Sequence, residues 1–283
     1  MRILVVNKKM LFAYGALLLC AVLTFFFSSN AATSVFNEEM TERLLPIYNV
    51  DRGDEKVCAL TFDAAWDDAD TDQLIEILDT YQVKATFFMV GSWVEKYPNS
   101  VKKFADKGHE IMNHSDTHPH INQLSTQKVK EEIAGCADKI EAVTGVRPTL
   151  FRGPYGEYNN TVIRAAQELG HKTLQWDVDS LDWKDLDTQD IVTRVLKRVK
   201  PGSVMLFHNG AKNTPAALPQ IIKKLQEEGY RFVTATELLL PEPTSINSQG
   251  TQIAAKTKTP EDATMENTPP EEPLQAPEDS PVS

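Results

Sequence analysis

Two histidines at a short spacing are the sharpest chemical signal in this sequence. His114 and His118 stand four positions apart in the run His-Ser-Asp-Thr-His, and two imidazoles at this spacing can bind one metal ion. A strand-like run precedes the pair and Pro119 follows it, which favours a loop or a first helical turn. A metal site and a pair of solvated loop histidines both fit this pattern. His109, at the start of the preceding run, is expected to be structural.

A carboxylate and a further histidine are candidates for proton transfer. Asp63 ends an apolar run, where a carboxylate can act as a general base, a metal ligand or a helix N-cap. The next helix is expected to begin near Asp70, so Asp68 or Asp70 is the better candidate for the cap. His208 ends another apolar run, and a histidine poised near neutrality is a natural general acid. An aspartate of the acidic segment 176–183 can orient or charge it.

The elements that must position these residues alternate between short apolar runs and amphipathic stretches. This alternation predicts strands joined by helices, and therefore a parallel sheet, either as a doubly wound open sheet or as a closed β/α barrel. The predicted strands are 57–62, 84–90, 109–113, 149–152, 171–176, 203–207 and 231–235, and the predicted helices are 70–81, 93–107, 126–143, 159–168, 188–199 and 216–228.

Polar side chains follow five of the seven predicted strands. In both architectures ligands bind at the carboxyl ends of the strands, so these side chains are expected to meet at one edge of the sheet. This clustering of polarity at a single edge predicts an active site there. The residues that end or follow these strands are Asp63, His114, Arg152 with Tyr155, the group Asp177, Asp179 and Asp182, and His208.

Five short motifs, in this order, resemble those of the polysaccharide deacetylases, the NodB homology domain of carbohydrate esterase family 4. They are Thr-Phe-Asp at 61–63, Asn-His-Ser-Asp-Thr-His at 113–118, Arg-Gly-Pro-Tyr-Gly at 152–156, Asp-Ser-Leu-Asp-Trp at 179–183 and Leu-Phe-His at 206–208. The resemblance covers essentially all of residues 55–240. It implies an α/β fold, a distorted barrel of seven or eight parallel β/α units in a single domain.

The resemblance also implies a role for each motif residue. It implies a metal-dependent N-deacetylase whose divalent ion is Zn²⁺, with Co²⁺ or Mn²⁺ as alternatives, and whose partner is an N-acetylated glycan. We further expect exposed indole rings near the motifs to stack on sugar rings. The implied roles are Asp63 as catalytic base, Arg152 as its partner, Tyr155 as an oxyanion donor through its backbone N–H, His208 as general acid, Asp182 as the residue that tunes it, His114 and His118 as metal ligands, and Trp66 and Trp183 as substrate-binding residues.

One position departs from the family pattern. The first motif is usually Thr-Phe-Asp-Asp, and its second Asp is a metal ligand, but here that position is Ala64. Three outcomes are open: two histidines and water hold the metal, one of Asp67, Asp68 and Asp70 replaces the lost ligand, or the protein has become a catalytically weak or inactive glycan-binding or structural protein. Thr-Phe-Asp followed by two alanines and a tryptophan resembles a subgroup linked with peptidoglycan deacetylation in sporulation.

Charge and cysteine content exclude other classes. The chain has 29 Lys and Arg against 40 Asp and Glu, a net charge of −11, and shows no basic face of the kind that binds nucleic acid. The cysteines Cys20, Cys58 and Cys136 are too few and too scattered for a disulfide framework or a thiolate metal site, so free packed thiols are expected.

Composition also predicts the domain boundaries. Residues 1–31, with the uncharged run 11–27, are expected to be a signal peptide or an N-terminal membrane anchor, and 11–27 is the only expected membrane contact. Residues 32–54 are expected to be a linker, 55–240 the deacetylase domain, and 241–283 a disordered tail rich in proline and acidic residues.

The predicted protein is therefore exported, and is either secreted or anchored to the membrane. It is expected to remove N-acetyl groups from a cell-wall polysaccharide, with peptidoglycan favoured over chitin-like oligomers. Esterase action on O-acetyl xylan is the alternative within the same chemistry.

Overall fold

A computed structural model describes residues 43–184 and 186–255. In chain order the strands are β1 (Asn49–Val50), β2 (Val57–Ala64), β3 (Thr86–Met89), β4 (Glu110–Asn113), β5 (Leu150–Phe151), β6 (Lys172–Thr173), β7 (Val178–Asp179), β8 (Val204–His208), β9 (Arg231–Val233), β10 (Thr244–Ile246) and β11 (Thr251–Ala254). The α-helices are α1 (Thr71–Thr80), α2 (Gly91–Lys96), α3 (Pro98–Asp106), α4 (Thr126–Thr144), α5 (Asn160–Glu168), α6 (Thr188–Leu196), α7 (Thr214–Glu227) and α8 (Ala235–Leu238). Within the described residues, 3₁₀ turns lie at Ile121–Gln123, Pro154–Gly156 and Asp182–Lys184.

The main sheet is parallel throughout and has the order β6-β5-β4-β3-β2-β8-β7, with β9 beside the start of β2. β2 lies near its centre and is buried at all eight residues, as its continuous apolar run predicts for a strand covered on both faces. The helices pack outside this curled half-barrel. The seven predicted strands and the distorted parallel β/α barrel are confirmed.

Several details of the secondary structure differ from the prediction. The predicted strand 231–235 is shorter, because Ala235 opens helix α8. The predicted helix 93–107 is two helices, α2 and α3, because Pro98 lacks the N–H that a continuous helix needs and opens a new helix instead. The two-residue strand β7 was not predicted, since it lies within a polar segment and has too few residues to show an alternating pattern.

Alternation along the strands divides the core into two layers. Phe87 packs between the sheet and the helices, whereas the next residue, Phe88, packs inside the curl of the sheet. The same alternation separates the two residues at the end of β2. Asp63 lines a cavity at the mouth of the barrel, and Ala64 packs with the helix layer.

Both ends of the folded part differ from the predicted linker and tail. Within residues 43–54, Ile47 donates to Thr173 O at 2.9 Å and accepts from Gln175 N at 2.7 Å. In the described part of the chain no ladder joins β6 to β7, and this N-terminal segment lies in that gap. The expected linker is therefore partly a component of the barrel, because it pairs with backbone groups that the open edge leaves free.

Residues 241–255 are likewise folded. β10 and β11 form an antiparallel hairpin, and β1 pairs parallel to β11. Gln252 is buried and accepts from Leu240 N at 2.9 Å. Average composition concealed these strands, because a short hairpin needs few apolar residues when existing strand edges supply its partners. Residues 1–31, with the run 11–27, and the remainder of the tail lie outside the described residues.

Two further observations concern predicted features of the chain. Among the described residues, no helix is long and apolar enough to cross a membrane. Cys58 and Cys136 are buried free thiols, as expected, and Cys20 lies outside the described residues.

Candidate active site

The carboxyl ends of the strands surround a cavity of about 450 Å³. A larger cavity of about 590 Å³ lies between residues 43–47 and the β10–β11 hairpin, but none of the predicted site residues lines it. Arg152 and Asp182 are buried directly behind the smaller cavity and contact two of its lining residues. The predicted residues that line the smaller cavity are Asp63, His114, His118, Tyr155, His208, Trp66 and Trp183.

Asp63 is held by a buried guanidinium. Arg152 Nη1 donates to Asp63 Oδ1 at 2.7 Å, and the Arg152 Nη2 group donates to Gln175 O at 3.0 Å. The guanidinium carbon of Arg152 also lies 4.0 Å from the centre of the Phe88 ring. These contacts leave the arginine little freedom and fix the direction of the carboxylate.

The surroundings of Asp63 keep it ionised. Burial by itself would raise the pKa of Asp63, but nearby positive charge at His114 and Arg152 outweighs burial and lowers the pKa. Arg152 is the lasting source of that charge, because a guanidinium stays protonated and burial holds His114 neutral. Asp63 is therefore a carboxylate that can accept a proton.

The two motif histidines face the same cavity as neutral imidazoles. His114 Nδ1 lies 2.8 Å from Arg152 O, so a proton on Nδ1 leaves the lone pair on Nε2, which lies 3.5 Å from Asp63 Oδ2. The ring centres of His114 and His118 are 5.0 Å apart. Burial lowers the pKa of His114 and lowers that of His118 to about 4. Neutral imidazole is the form that binds metal ions.

Hydrogen bonds to the neighbouring helix α4 hold the loop that carries these histidines. Ser115 and His118 have positive φ values of 67° and 60°, which residues other than glycine rarely adopt. Glu132 on α4 accepts from Asp116 N at 2.9 Å, from Thr117 N at 2.8 Å and from Thr117 Oγ1 at 2.7 Å. Sequence analysis missed Glu132, because a glutamate in a helix-like segment carries no local signal of a distant loop.

His208 forms a second charged pair at the end of β8. Its Nδ1 lies 2.8 Å from Asp182 Oδ1, and its backbone N–H donates to Asp182 Oδ2 at 2.9 Å. Thr214 Oγ1 donates to the same Oδ2 at 2.6 Å. Burial would lower the pKa of His208, but the hydrogen bond and charge of Asp182 outweigh it and the pKa is raised. Of the three candidate aspartates, Asp182 is thus the one that contacts His208.

Tyr155 sits in a strained turn beside the cavity. Its φ of 58° and ψ of 13° are left-handed. Gly156 N donates to Gly153 O at 3.1 Å and Glu157 N donates to Pro154 O at 2.9 Å. Among the described residues, the Tyr155 N–H donates no backbone hydrogen bond outside the regular elements, which leaves this donor available to a ligand.

Indole rings form the rim of the cavity. Trp66 and Trp183 are each 49% exposed, which is unusual for side chains of this size. The Trp66 ring stacks on His208, with ring centres 5.6 Å apart and planes at 20°. Trp176 also lines the cavity and lies partly under the Arg152 guanidinium. Trp93, by contrast, is buried in the core.

The carboxylates near Ala64 do not replace a missing ligand in this arrangement. Asp68 Oδ2 accepts from Ser100 Oγ at 2.7 Å, and Asp70 Oδ2 accepts from Gly210 N at 2.6 Å. Asp67 Oδ1 accepts from Ala69 N at 3.0 Å. None of these three aspartates lines the cavity.

The donor set fits a divalent ion through two histidines. Within the described ranges, no group of three or more His, Cys, Asp or Glu side chains is arranged to hold a metal. The bond from His114 Nδ1 to a backbone carbonyl is nevertheless the outer contact that metal-binding histidines usually make. His114 and His118 therefore fit as two nitrogen ligands, and the remaining positions of a metal would be open to water or substrate.

Comparison with known proteins agrees with these motifs. Residues 51–174 match the family model described as polysaccharide deacetylase. Over 190 residues the chain is 38% identical to a peptidoglycan-N-acetylglucosamine deacetylase of Bacillus cereus. The match covers 65% of this chain and 89% of that protein. The chain belongs to the polysaccharide deacetylase family. It is also 38% identical over 184 residues to the peptidoglycan-N-acetylmuramic acid deacetylase PdaC of Bacillus subtilis, but the match spans only 39% of that protein.

Solved structures of the family include both enzymes and inactive relatives. The Bc1960 peptidoglycan N-acetylglucosamine deacetylase matches with a TM-score of 0.66 and 33% identity, over 68% of this chain and 91% of that one. BA3943 of Bacillus anthracis, described as a family 4 pseudoenzyme, matches with the same TM-score of 0.66 and 34% identity, over 68% of each chain. Family membership alone therefore does not establish turnover.

Proposed function

We propose that this polysaccharide deacetylase is a hydrolase that removes N-acetyl groups from a cell-wall glycan, with peptidoglycan favoured and chitin-like oligomers second. One observation carries the proposal. Asp63 on β2 and His208 on β8 are direct register partners that line one cavity, and each is held by a buried charged partner, Arg152 and Asp182 respectively. An ionised carboxylate and a histidine of raised pKa are what an acid–base hydrolase requires and a binding protein does not.

Each of these residues has a separate role in the proposed hydrolysis. Asp63 accepts a proton from the attacking water, and the oxygen of that water bonds to the acetyl carbonyl carbon. The Tyr155 N–H donates to the oxyanion that develops on the carbonyl oxygen. His208, held by Asp182, gives its proton to the nitrogen as the C–N bond breaks. The products are acetate and the free amino sugar.

A divalent ion on His114 and His118, with zinc preferred over cobalt or manganese, would supply a Lewis acid for the carbonyl and acidify the water. Trp66 and Trp183 then bind the glycan through the faces of their sugar rings. Their exposure beside the same cavity supports this role, because exposed apolar surface that lines a groove often marks a ligand-binding site.

Ala64 supports a second candidate function. A methyl group cannot coordinate a cation, and the nearby carboxylates are engaged elsewhere. The alternative is a catalytically weak or inactive glycan-binding or structural protein on the same fold, and a structural relative described as a pseudoenzyme supports the loss of activity. The retained acid and base favour the hydrolase.

The proposed place of action is outside the cytoplasmic membrane. The relatives are named for peptidoglycan, which is a cell-wall polymer. Residues 1–31 are proposed as an export signal or anchor, with 11–27 as the membrane contact, and a role in sporulation is proposed from the Ala64 variant of the first motif.

The test is acetate release by the full chain. Peptidoglycan and N-acetylglucosamine oligomers serve as substrates, with zinc, cobalt or manganese added. We expect Asp63→Asn to reduce release by about 10²–10⁴-fold. Asp72→Asn is the matched control, because Asp72 is exposed and pairs with Lys103 away from the cavity. Glycan binding without acetate release under any of these metals would favour the binding protein instead.

A further inference from the structure

The Tyr155 ring is clamped between two histidine rings. The His120 ring stacks on it with centres 4.5 Å apart and planes at 19°. The His118 ring meets it edge-on, with centres 4.6 Å apart and planes at 68°. Tyr155 is 61% exposed, and among the described residues these two rings are the aromatic neighbours of its side chain. His118 belongs to the metal-binding motif, but the predicted site contains no role for His120.

His120 is itself anchored to the Tyr155 turn. Its Nδ1 lies 2.8 Å from Glu157 Oε1, and Glu157 Oε2 accepts from Asn122 N at 3.3 Å. A methyl group added at Gly153 would lie 2.2 Å from Glu157 O, so the turn is closely packed at its base. The loop after β4 and the turn after β5 are therefore joined through one histidine and one glutamate.

This clamp acts on a backbone that is strained. A tyrosine in the left-handed region is disfavoured by contact between its Cβ and the next carbonyl oxygen, by an energy comparable to that of one aromatic stack. Loss of a stack can therefore decide whether the turn stays closed. The affected group is the Tyr155 N–H, the donor assigned to the oxyanion.

We propose that His120 is a positioning residue that holds the Tyr155 backbone in the left-handed conformation and so keeps the oxyanion donor in place. The effect of His120 on catalysis, through the oxyanion donor, rests on the proposed function. The clamp itself does not depend on catalysis, and it is tested separately.

Two substitutions separate stacking from other effects. His120→Ala removes the ring, whereas His120→Phe keeps an aromatic face but loses the bond to Glu157. If His120 acts through the oxyanion donor, we expect His120→Ala to lower kcat about tenfold to a hundredfold, because complete loss of one such donor costs about 10²–10³. KM is expected to stay within about twofold, and His120→Phe to recover most of the lost kcat.

Amide hydrogen exchange tests the clamp without activity. We expect the Gly156 and Glu157 N–H groups, whose hydrogen bonds close the turn, to exchange faster in His120→Ala than in the wild type and in His120→Phe. Unchanged exchange would overturn the inference, as would a rise in KM with kcat unchanged or equal losses in both variants. The wild type could release no acetate while His120→Ala still exchanges faster than the wild type and His120→Phe. That result would contradict the proposed function and leave the clamp supported.

Discussion

Arg152 and Asp63 form a 2.7 Å ion pair at the mouth of the barrel, with the arginine fully buried and the carboxylate nearly so. The two residues lie 89 positions apart in the chain. Each of the two charges can be buried only because the other compensates it, since an isolated charge in this position would be strongly disfavoured. Catalytic geometry and stability are thus joined in one contact.

The first prediction concerns this ion pair. We expect Arg152→Met to lower the free energy of unfolding by about 3–5 kcal/mol, because it leaves the Asp63 carboxylate buried without a partner. Equilibrium denaturation in urea measures the change. The double variant Arg152→Met with Asp63→Asn is expected to be less destabilised than Arg152→Met alone, because no buried charge is left. Additive effects of the two substitutions would show that the pair contributes no coupling.

A second prediction follows from the raised pKa of His208. The proposed acid must be protonated, so activity is expected to fall as the pH rises through that pKa. Asp182→Asn keeps a hydrogen-bond acceptor but removes the charge that raises the pKa of His208, so the basic limb of the kcat/KM profile is expected to move to lower pH. Asp179→Asn is the comparison, and a smaller shift is expected because only a more distant charge is lost. An identical basic limb in wild type and Asp182→Asn would argue against His208 as the acid.

His109 provides a third prediction, on stability. Burial lowers its folded-state pKa to about 4 from 6.5, so the unfolded chain takes up a proton first as the pH falls. The free energy of unfolding therefore decreases between about pH 6.5 and pH 4, and this histidine contributes about 2 kcal/mol of the loss between pH 7 and pH 5. In His109→Gln the difference in unfolding free energy between these pH values is expected to shrink by that amount. A difference as large as in the wild type would assign the acid sensitivity to other groups.

Glu132 provides a fourth prediction. Its three hydrogen bonds hold the loop between the two motif histidines, so Glu132→Ala is expected to weaken zinc binding about 10- to 100-fold. Calorimetric titration with zinc measures the affinity without any assay of turnover. Glu131→Ala is the matched control, because Glu131 is on the same helix and its side chain accepts hydrogen bonds from Gln127 and Lys128 instead of from the loop. Equal effects of the two substitutions would contradict the assigned role of Glu132.

The exposed indoles provide a fifth prediction, which distinguishes their roles. Trp183→Ala is expected to raise KM about 2- to 10-fold with little change in kcat, since the ring contributes only a stacking surface. Trp66→Ala is expected to lower kcat as well, because the Trp66 ring also covers His208. Steady-state kinetics on N-acetylglucosamine oligomers test both. Loss of kcat in Trp183→Ala, or none in Trp66→Ala, would reverse this assignment.

Local patterns explain what the sequence could predict about the fold. The apolar runs of β2, β3 and β8 are continuous and the helices between them are amphipathic, so the parallel β/α order was readable without a structure. β7 and the hairpin of β10 and β11 were not, because two to four residues are too few for a periodic signal. These strands form because existing edges offer partners, which is a property of the folded chain.

The candidate site divides in the same way. The sequence by itself determined which side chains stand at the strand ends, since Asp63, His114 and His208 each follow a recognisable apolar run. The motif resemblance implied that Asp182 acts on His208, but the strand pattern could not choose among the aspartates of 176–183, and only the tertiary structure showed that contact and the stacking of His120 on Tyr155. The physical reason is that strand periodicity is a local property of the chain. Contacts between residues far apart depend on how the barrel closes, and on which groups the closed barrel removes from water.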